Sequence, residues 1–286
     1  MYVNPYEKNI FIEILCTVLF ALANCRQTNE TDTQKETKQE ITISGSGSGV
    51  IIMKMLEPDF ENEYTSIDLI FLPSSGTKKG LETIAEGLVD LIMSARDMDD
   101  TEKTQYPNLI QKTLFKDAMV LAVNKNVDII DLTKEQIKKI HTGEITDWNE
   151  TGNTSGRIIV LDREEHESSK ILLREYIIGD SNVTEDAIMM LSPDAMDQSI
   201  ETTRYSIGQT SLGAISYKNL TIKPLSIDGI KPSLQTLDDG SYPMVRNYGI
   251  IYKKESESTI MPLLIFLASD EIQARLRRYQ MVRVNQ

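Results

Sequence analysis

Apolar positions along this chain recur at two spacings: short runs of four to six residues, and longer runs in which they return every third or fourth residue. The short runs predict strands at residues 41–44, 67–72, 88–93, 119–124, 158–161, 214–217 and 248–252. The longer spacing predicts helices at 51–63, 80–86, 134–141, 168–176 and 260–279. Strands and helices that alternate in this way predict an α/β fold with ligand sites at the carboxyl ends of strands. There is no internal repeat.

The most distinctive stretch is ITISGSGSGV, residues 41–50, a strand that turns through Gly45, Ser46, Gly47, Ser48 and Gly49 into a helix expected to start near Val50. Glycines let backbone amides approach a ligand, serines add hydroxyl donors, and the first turn of a helix offers unpaired N–H groups and a partial positive charge. That chemistry suits an anion, while a plain serine–glycine turn would look the same. A second loop of the same kind, Ser74-Ser75-Gly76-Thr77, follows the strand at 67–72; helix capping alone would need a single hydroxyl there. Two nucleotide motifs fail on spacing. A P-loop requires Gly-Lys-Ser/Thr where this chain has Gly49-Val50-Ile51, and the dinucleotide fingerprint G-x-G-x-x-G is here G-x-G-x-G with no acidic residue ending the next strand.

Ahead of this region lies an apolar run at 14–23, ILCTVLFALA, too short to cross a bilayer and of the right length for a signal-peptide core. It runs into Leu22-Ala23-Asn24-Cys25, which resembles a bacterial lipobox with Cys25 as the lipidated residue. Asn24 is larger than the usual residue there, Lys8 is the lone basic residue ahead of the run, and Glu13 sits at its edge, so an ordinary export signal is the alternative. Residues 26–40 contain no apolar side chain until Ile41, and such a segment cannot offset its ordering entropy; it is expected to be a flexible tether.

Composition narrows the function. The 286 residues carry a net charge of -13, which argues against nucleic acid as a partner but leaves room for a small anion in a cleft that sets its own local field. The two cysteines, Cys16 and Cys25, both lie near the N-terminus, and there are two histidines, so neither a disulfide framework in the body of the chain nor a Cys/His metal site is expected.

Six blocks, in order, resemble the PstS-type phosphate-binding proteins, the extracytoplasmic receptors of phosphate ABC transporters. They are ITISGSGSGV, PSSGTKKGLETIAEGLVDLIMSARDM with Gly87, Asp90, Ser94 and Arg96, AMVLAVNKNVDIIDLTKEQIKKIHTGEITDWNE, SLGAISY, YPMVRNYGIIY and FLASDEIQARLRRYQMVRV. The resemblance implies a two-lobed type II periplasmic-binding-protein fold, with two crossover strands at 119–124 and 247–252 and the ligand in the cleft between lobes. Lobe one would comprise 41–120 plus 247–286, and lobe two 121–246, after a signal segment at 1–25 and a tether at 26–40.

Carried over by position, the resemblance implies ligand binding by Ser48, Gly49, Val50, Ser75, Arg163 and Ser169. Two departures alter the pattern. Where the family places a carboxylate or serine, this chain has Ala95, which can neither accept nor donate; a carboxylate there would accept a hydrogen bond from protonated phosphate and repel sulfate. Where the family has Gly-Ser-Gly before its threonine, this chain has His166-Glu167-Ser168 ahead of Ser169. A carboxylate about 4 Å from a bound anion would oppose it by about 4 kcal/mol at an effective dielectric near 20. Glu167 pointing into the cleft would thus disfavour phosphate, Glu167 turned to solvent would merely favour the helix N-terminus, and Glu167 as a ligand group would suit a cationic or zwitterionic solute.

His141, at the end of a helical run, suits a helix dipole, His166 reads as an exposed loop histidine, and Trp148 as packing. The basic residues Lys253, Lys254, Arg275, Arg277 and Arg278 read as a solvated face. The expectation is a membrane-tethered monomer that delivers an oxyanion to an ABC permease, without cofactor, metal or catalysis. The competing expectations are a sensor or enzyme on the same fold centred on Arg163 and Glu167, and a surface lipoprotein that binds a protein partner.

Overall fold

The computed structural model describes residues 38–152 and 155–284. The expected signal segment, the lipidation position Cys25 and residues 26–37 of the expected tether lie outside the described residues. Among the described residues no helix is long and apolar enough to cross a membrane.

The chain opens with β1 (Gln39–Gly45), α1 (Gly47–Glu63), β2 (Ile67–Phe71), α2 (Gly76–Ala85), β3 (Leu91–Ser94), α3 (Asp100–Gln105) and β4 (Leu109–Val123). It continues through β5 (Asp131–Leu132), α4 (Lys134–Thr142), β6 (Ile159–Asp162), α5 (Ser168–Leu173), a π-helical turn at Arg174–Ile178, β7 (Ile188–Met189), α6 (Pro193–Thr202) and β8 (Ser206–Ser211). It ends with α7 (Leu212–Tyr217), β9 (Lys223–Pro224), β10 (Ser226–Ile227), α8 (Leu234–Asp238), β11 (Val245–Lys253), α9 (Glu257–Ala268), α10 (Asp270–Arg278) and β12 (Val282–Arg283).

The main sheet runs in the order β2-β1-β3-β11-β4-β8-β6-β7. At one end β1 is parallel to β2 and β3, and at the other β6 is parallel to β7 and β8. Between these parallel ends β11 and β4 run antiparallel to each other and to their outer neighbours. At about 3.3 Å per residue, the 15 residues of β4 extend on the order of 50 Å, enough to belong to two lobes at once. Each half builds its own core. Ile41, Leu56, Phe60, Leu91, Phe115, Ile250 and Phe266 are buried in one, and Val120, Leu132, Ile140, Trp148, Leu173, Ile207 and Tyr242 in the other. The changeover along β4 falls between Phe115 and Ala118, immediately before the stretch at 119–124 that the sequence resemblance marks as the crossover. A register shift at Tyr248/Gly249 marks the same region of β11, where a Cβ on Gly249 would lie 2.6 Å from the Lys112 carbonyl oxygen.

Four expectations change in the structure. Residues 214–217 are helical, not a strand: Ser211 caps α7 by accepting from the Ala214 N–H at 2.9 Å, and the strand is the preceding β8. The single helix expected at 260–279 is two, because Ser269 leaves the helical backbone and caps α10. Strand β4 begins ten residues before position 119, since its mixed polar and apolar first half finds its hydrogen bonds on β11 rather than in a local pattern. Strand β1 takes in Gln39 and Glu40 from the end of the expected tether, pairing them with Ile67 and Asp68. Trp148 packs as expected, fully buried with its indole N–H donating to the Tyr205 carbonyl at 2.9 Å. His141 is also fully buried, its Nδ1 2.8 Å from the Ile137 carbonyl oxygen, and burial pulls its pKa below the usual imidazole value.

Candidate functional site

The loops after β1 and β2 meet the loops after β6 and β8 near the middle of the sheet, because parallel strands deliver their carboxyl ends to one side. Gly45 makes the first turn possible. Its φ is +102°, a Cβ there would lie 2.3 Å from the Met93 carbonyl oxygen, and that carbonyl accepts from the Ser46 N–H at 2.8 Å. The Gly45 carbonyl in turn accepts from the Ser75 N–H at 3.1 Å, and the Ser44 hydroxyl donates to the Pro73 carbonyl at 2.8 Å, so the two loops form one unit.

On the opposite side, Arg163 follows β6 directly. Lys170, fully buried in α5, pairs with Asp162, which also accepts from the Gln209 amide at 3.1 Å; this pins the loop 163–169 onto β6 and β8. Outside, Arg174 donates to Glu165 at 2.7 Å.

These loops enclose a cavity of about 30 Å³, lined by Ser48, Ser169, Thr210, Ser211, Arg163 and Arg246 among others. A water needs about 10–15 Å³ by the same measure, so the space suits a group of two or three waters' size, comparable to a small tetrahedral oxyanion. It adjoins a wider cleft of about 660 Å³ that shares Ile51, Arg163, Glu167 and Pro193 with it.

Of the residues expected from sequence, Ser48, Arg163 and Ser169 line the inner cavity, whereas Val50 and Ser75 line the wider cleft. The Ser75 hydroxyl is buried there without a hydrogen-bond partner among the described residues. Gly49 lines neither space: it packs against Met93, where a Cβ would come within 2.8 Å of the methionine Cβ. Ala95 lines neither, and is 1% exposed with its N–H donating to the Thr77 hydroxyl at 3.3 Å. Glu167 lines both, and its carboxylate is 3.2 Å from the Arg163 guanidinium. The loop histidine, His166, is exposed as expected and stands 3.8 Å from Glu167. One oxygen or nitrogen each from Glu164, His166 and Glu167 lie within 4.8 Å of one another at the mouth, a spacing that could hold a cation, although the Arg163 charge beside Glu167 opposes one.

The other half of the site carries no local motif. Arg246 on β11 lies opposite Asp117 on β4, at the crossing of the two halves. Its guanidinium carbon is 5.4 Å from the Tyr248 ring centroid. The Nε–H groups of Arg163 and Arg246 are both buried without an acceptor among the described residues. Burial pulls the Arg163 pKa below the guanidinium range, Glu167 opposes that pull, and the like charge of Arg246 adds to it. Fully buried, Asp117 has its pKa pushed up to about 6 by desolvation, against the attraction of Arg246, and one of its oxygens accepts from the Gly213 N–H at 3.1 Å. Asp197 on α6 accepts from the Thr210 hydroxyl and, at 2.6 Å, from the Lys218 ammonium. Three cations, Arg163, Arg246 and Lys218, thus face two carboxylates, Glu167 and Asp197, along the inner cavity. Within a chain of net charge -13, this enclosure is locally cationic, an arrangement that suits an anion.

Arg246, Asp117, Asp197 and Thr210 escaped the sequence reading. The one available signal was a charged residue, Arg246, close ahead of the apolar stretch 248–252 of the same strand.

A sequence profile described as a PBP superfamily domain matches residues 30–271. The phosphate-binding protein PstS of Bacillus subtilis is 26% identical over 279 residues, 93% of this chain and 90% of its own length. PstS of Borreliella burgdorferi is 21% identical over 274 residues, 92% of this chain and 94% of its own. Among solved structures, a substrate-binding protein from Clostridium perfringens with bound phosphate superposes with a TM-score of 0.75 at 23% identity, covering 86% of this chain and 100% of that one. An ABC-type phosphate transport receptor from Vibrio cholerae gives 0.65 at 22% identity, covering 85% and 99%. At these identities the structural likeness establishes the fold, which is the two-lobed arrangement expected from sequence.

Proposed function

The chain belongs to the PBP superfamily, and from that premise we propose that it is an extracytoplasmic solute-binding protein that captures inorganic phosphate for an ABC permease. The observation that carries this reading is the pair of buried arginines, Arg163 and Arg246, each with an unpaired Nε–H, beside a hydroxyl-lined cavity of about 30 Å³. Buried guanidinium donors left without acceptors are costly unless a ligand supplies the acceptor, and a tetrahedral oxyanion offers several.

In this reading lobe one, 41–120 plus 247–286, and lobe two, 121–246, close on the anion by bending where β4 and β11 cross. Ser48 and Ser75 bind from lobe one, Arg163, Ser169 and Arg246 from lobe two and the crossing strands. The signal segment with Cys25 tethers the protein to the cell envelope, and it works as a monomer without chemistry on its ligand. The Glu167 carboxylate, paired with Arg163, balances the arginine in the empty state. A site that kept Glu167 as its main ligand group would instead select a cationic solute.

The test is calorimetric titration of protein unfolded and refolded to strip bound ligand, with phosphate and then sulfate. Phosphate is expected to bind, and Arg246→Met to weaken it by about 2–5 kcal/mol, as truncation of one partner of a buried charge contact does. No heat with either anion from folded protein would refute the assignment.

A further inference from the structure

Resting on the reading of the cavity as a phosphate site, we propose that Asp197 accepts the proton of bound phosphate and thereby sets its preference over sulfate. Phosphate near neutral pH always carries at least one O–H, and sulfate carries none. A cavity made only of donors would accept either anion, so discrimination requires an acceptor that cannot donate.

The turn after β3, where a carboxylate would serve, holds Ala95, buried away from both spaces. Two carboxylates line the inner cavity, and they differ in kind. Glu167 sits at the mouth, its side chain 20% exposed and engaged with Arg163 at 3.2 Å. Asp197 lines the inner cavity alone, and is 4% exposed. One of its oxygens holds the Thr210 hydroxyl and the other the Lys218 ammonium at 2.6 Å.

A carboxylate has about four lone-pair positions, so these two donors leave room for an O–H from the ligand. Lys218, itself fixed between Asp197 and Asp194 at 2.6 Å each, holds the Asp197 carboxylate in place at the cavity wall. The Asp197 carboxylate receives the phosphate O–H and repels the corresponding bare oxygen of sulfate. The acceptor absent from lobe one at Ala95 is thus supplied by α6, from the opposite wall of the cleft. A strut that merely positions Lys218 and Thr210 would touch both anions alike, and the ratio of affinities separates the two roles.

The experiment is titration of the full chain and of Asp197→Asn with phosphate and with sulfate at neutral pH. The amide keeps the shape and can donate to sulfate. The expected result is a fall of about tenfold to a hundredfold in the phosphate-to-sulfate affinity ratio, the range for a hydrogen bond to a charged group, with sulfate affinity rising. Equal weakening of both anions, with the ratio unchanged, overturns the proposal while leaving the phosphate site intact. Wild-type protein that binds neither anion overturns the phosphate reading itself, and this inference with it, before any variant is made. Should Asp197→Asn fail to fold, Asp197→Ser carries the same ratio test.

Discussion

Replacing Glu167 by Gln should strengthen anion binding. The Glu167 carboxylate lies 3.2 Å from the Arg163 guanidinium, so an anion hydrogen-bonded to the same guanidinium would hold its charge about 5–6 Å from that carboxylate. At an effective dielectric near 20, two unit charges at that separation repel by about 3 kcal/mol. The Glu167 side chain is 20% exposed, and water reaching it lowers the repulsion to about 1.5 kcal/mol if the effective dielectric doubles. Glu167→Gln is therefore expected to raise affinity roughly ten- to a hundredfold, for phosphate and sulfate equally, because both feel the same charge. The substitution also leaves the Arg163 charge without its nearest partner, so the ligand-free protein should lose about 1–3 kcal/mol of stability and regain it on binding. Parallel calorimetric titrations of both anions, with denaturant unfolding of the ligand-free forms, measure each quantity. Unchanged or weaker affinity for both anions would refute the electrostatic argument and make Glu167 a contact rather than a competing charge.

Asp117 and Gly45 provide two further tests. Burial raises the Asp117 pKa from 3.8 to about 6, so between these values the folded protein holds more protons than the unfolded chain, and this group's contribution to stability rises as pH falls through the window. At 1.36 kcal/mol per unit, the stability difference between wild type and Asp117→Asn should shift by up to about 3 kcal/mol in the wild type's favour from about pH 7 to about pH 4, read by urea unfolding; parallel profiles would contradict it. Gly45→Ala, at φ +102° with its new Cβ 2.3 Å from the Met93 carbonyl oxygen, should cost about 2–5 kcal/mol in the same assay, and a loss under about 1 kcal/mol would show that the turn relaxes freely.

Local signals along the chain sufficed for much of this protein. The alternation of strands and helices and the small-residue turns at Gly45–Gly49 and Ser74–Thr77 are short-range patterns. The α/β class and the two small-residue loops followed from them, because backbone geometry in turns and at helix ends depends on a few neighbouring residues, whereas the lobes and the Arg163 and Ser169 positions came only from the resemblance to a known family. Even so, four residues of mixed pattern at 214–217 could not reveal a helix whose cap, Ser211, belongs to the strand before it. Nor could the mixed first half of β4 declare itself a strand, since its partners on β11 lie more than a hundred residues away in sequence.

The composition of the site itself came from long-range packing. Asp117, Arg163, Asp197, Thr210 and Arg246 sit on or beside five different elements, and each alone is an ordinary polar residue of its segment. Folding removes water from all five at once, and only then do the four charges among them matter to one another: a separation of a few ångströms in a poorly solvated cavity turns scattered charges into the proposed anion site. Local sequence encodes how the backbone turns; which side chains lose water together depends on the assembled sheet, and so do the acceptor at Asp197 and the donors at Arg246 and Arg163.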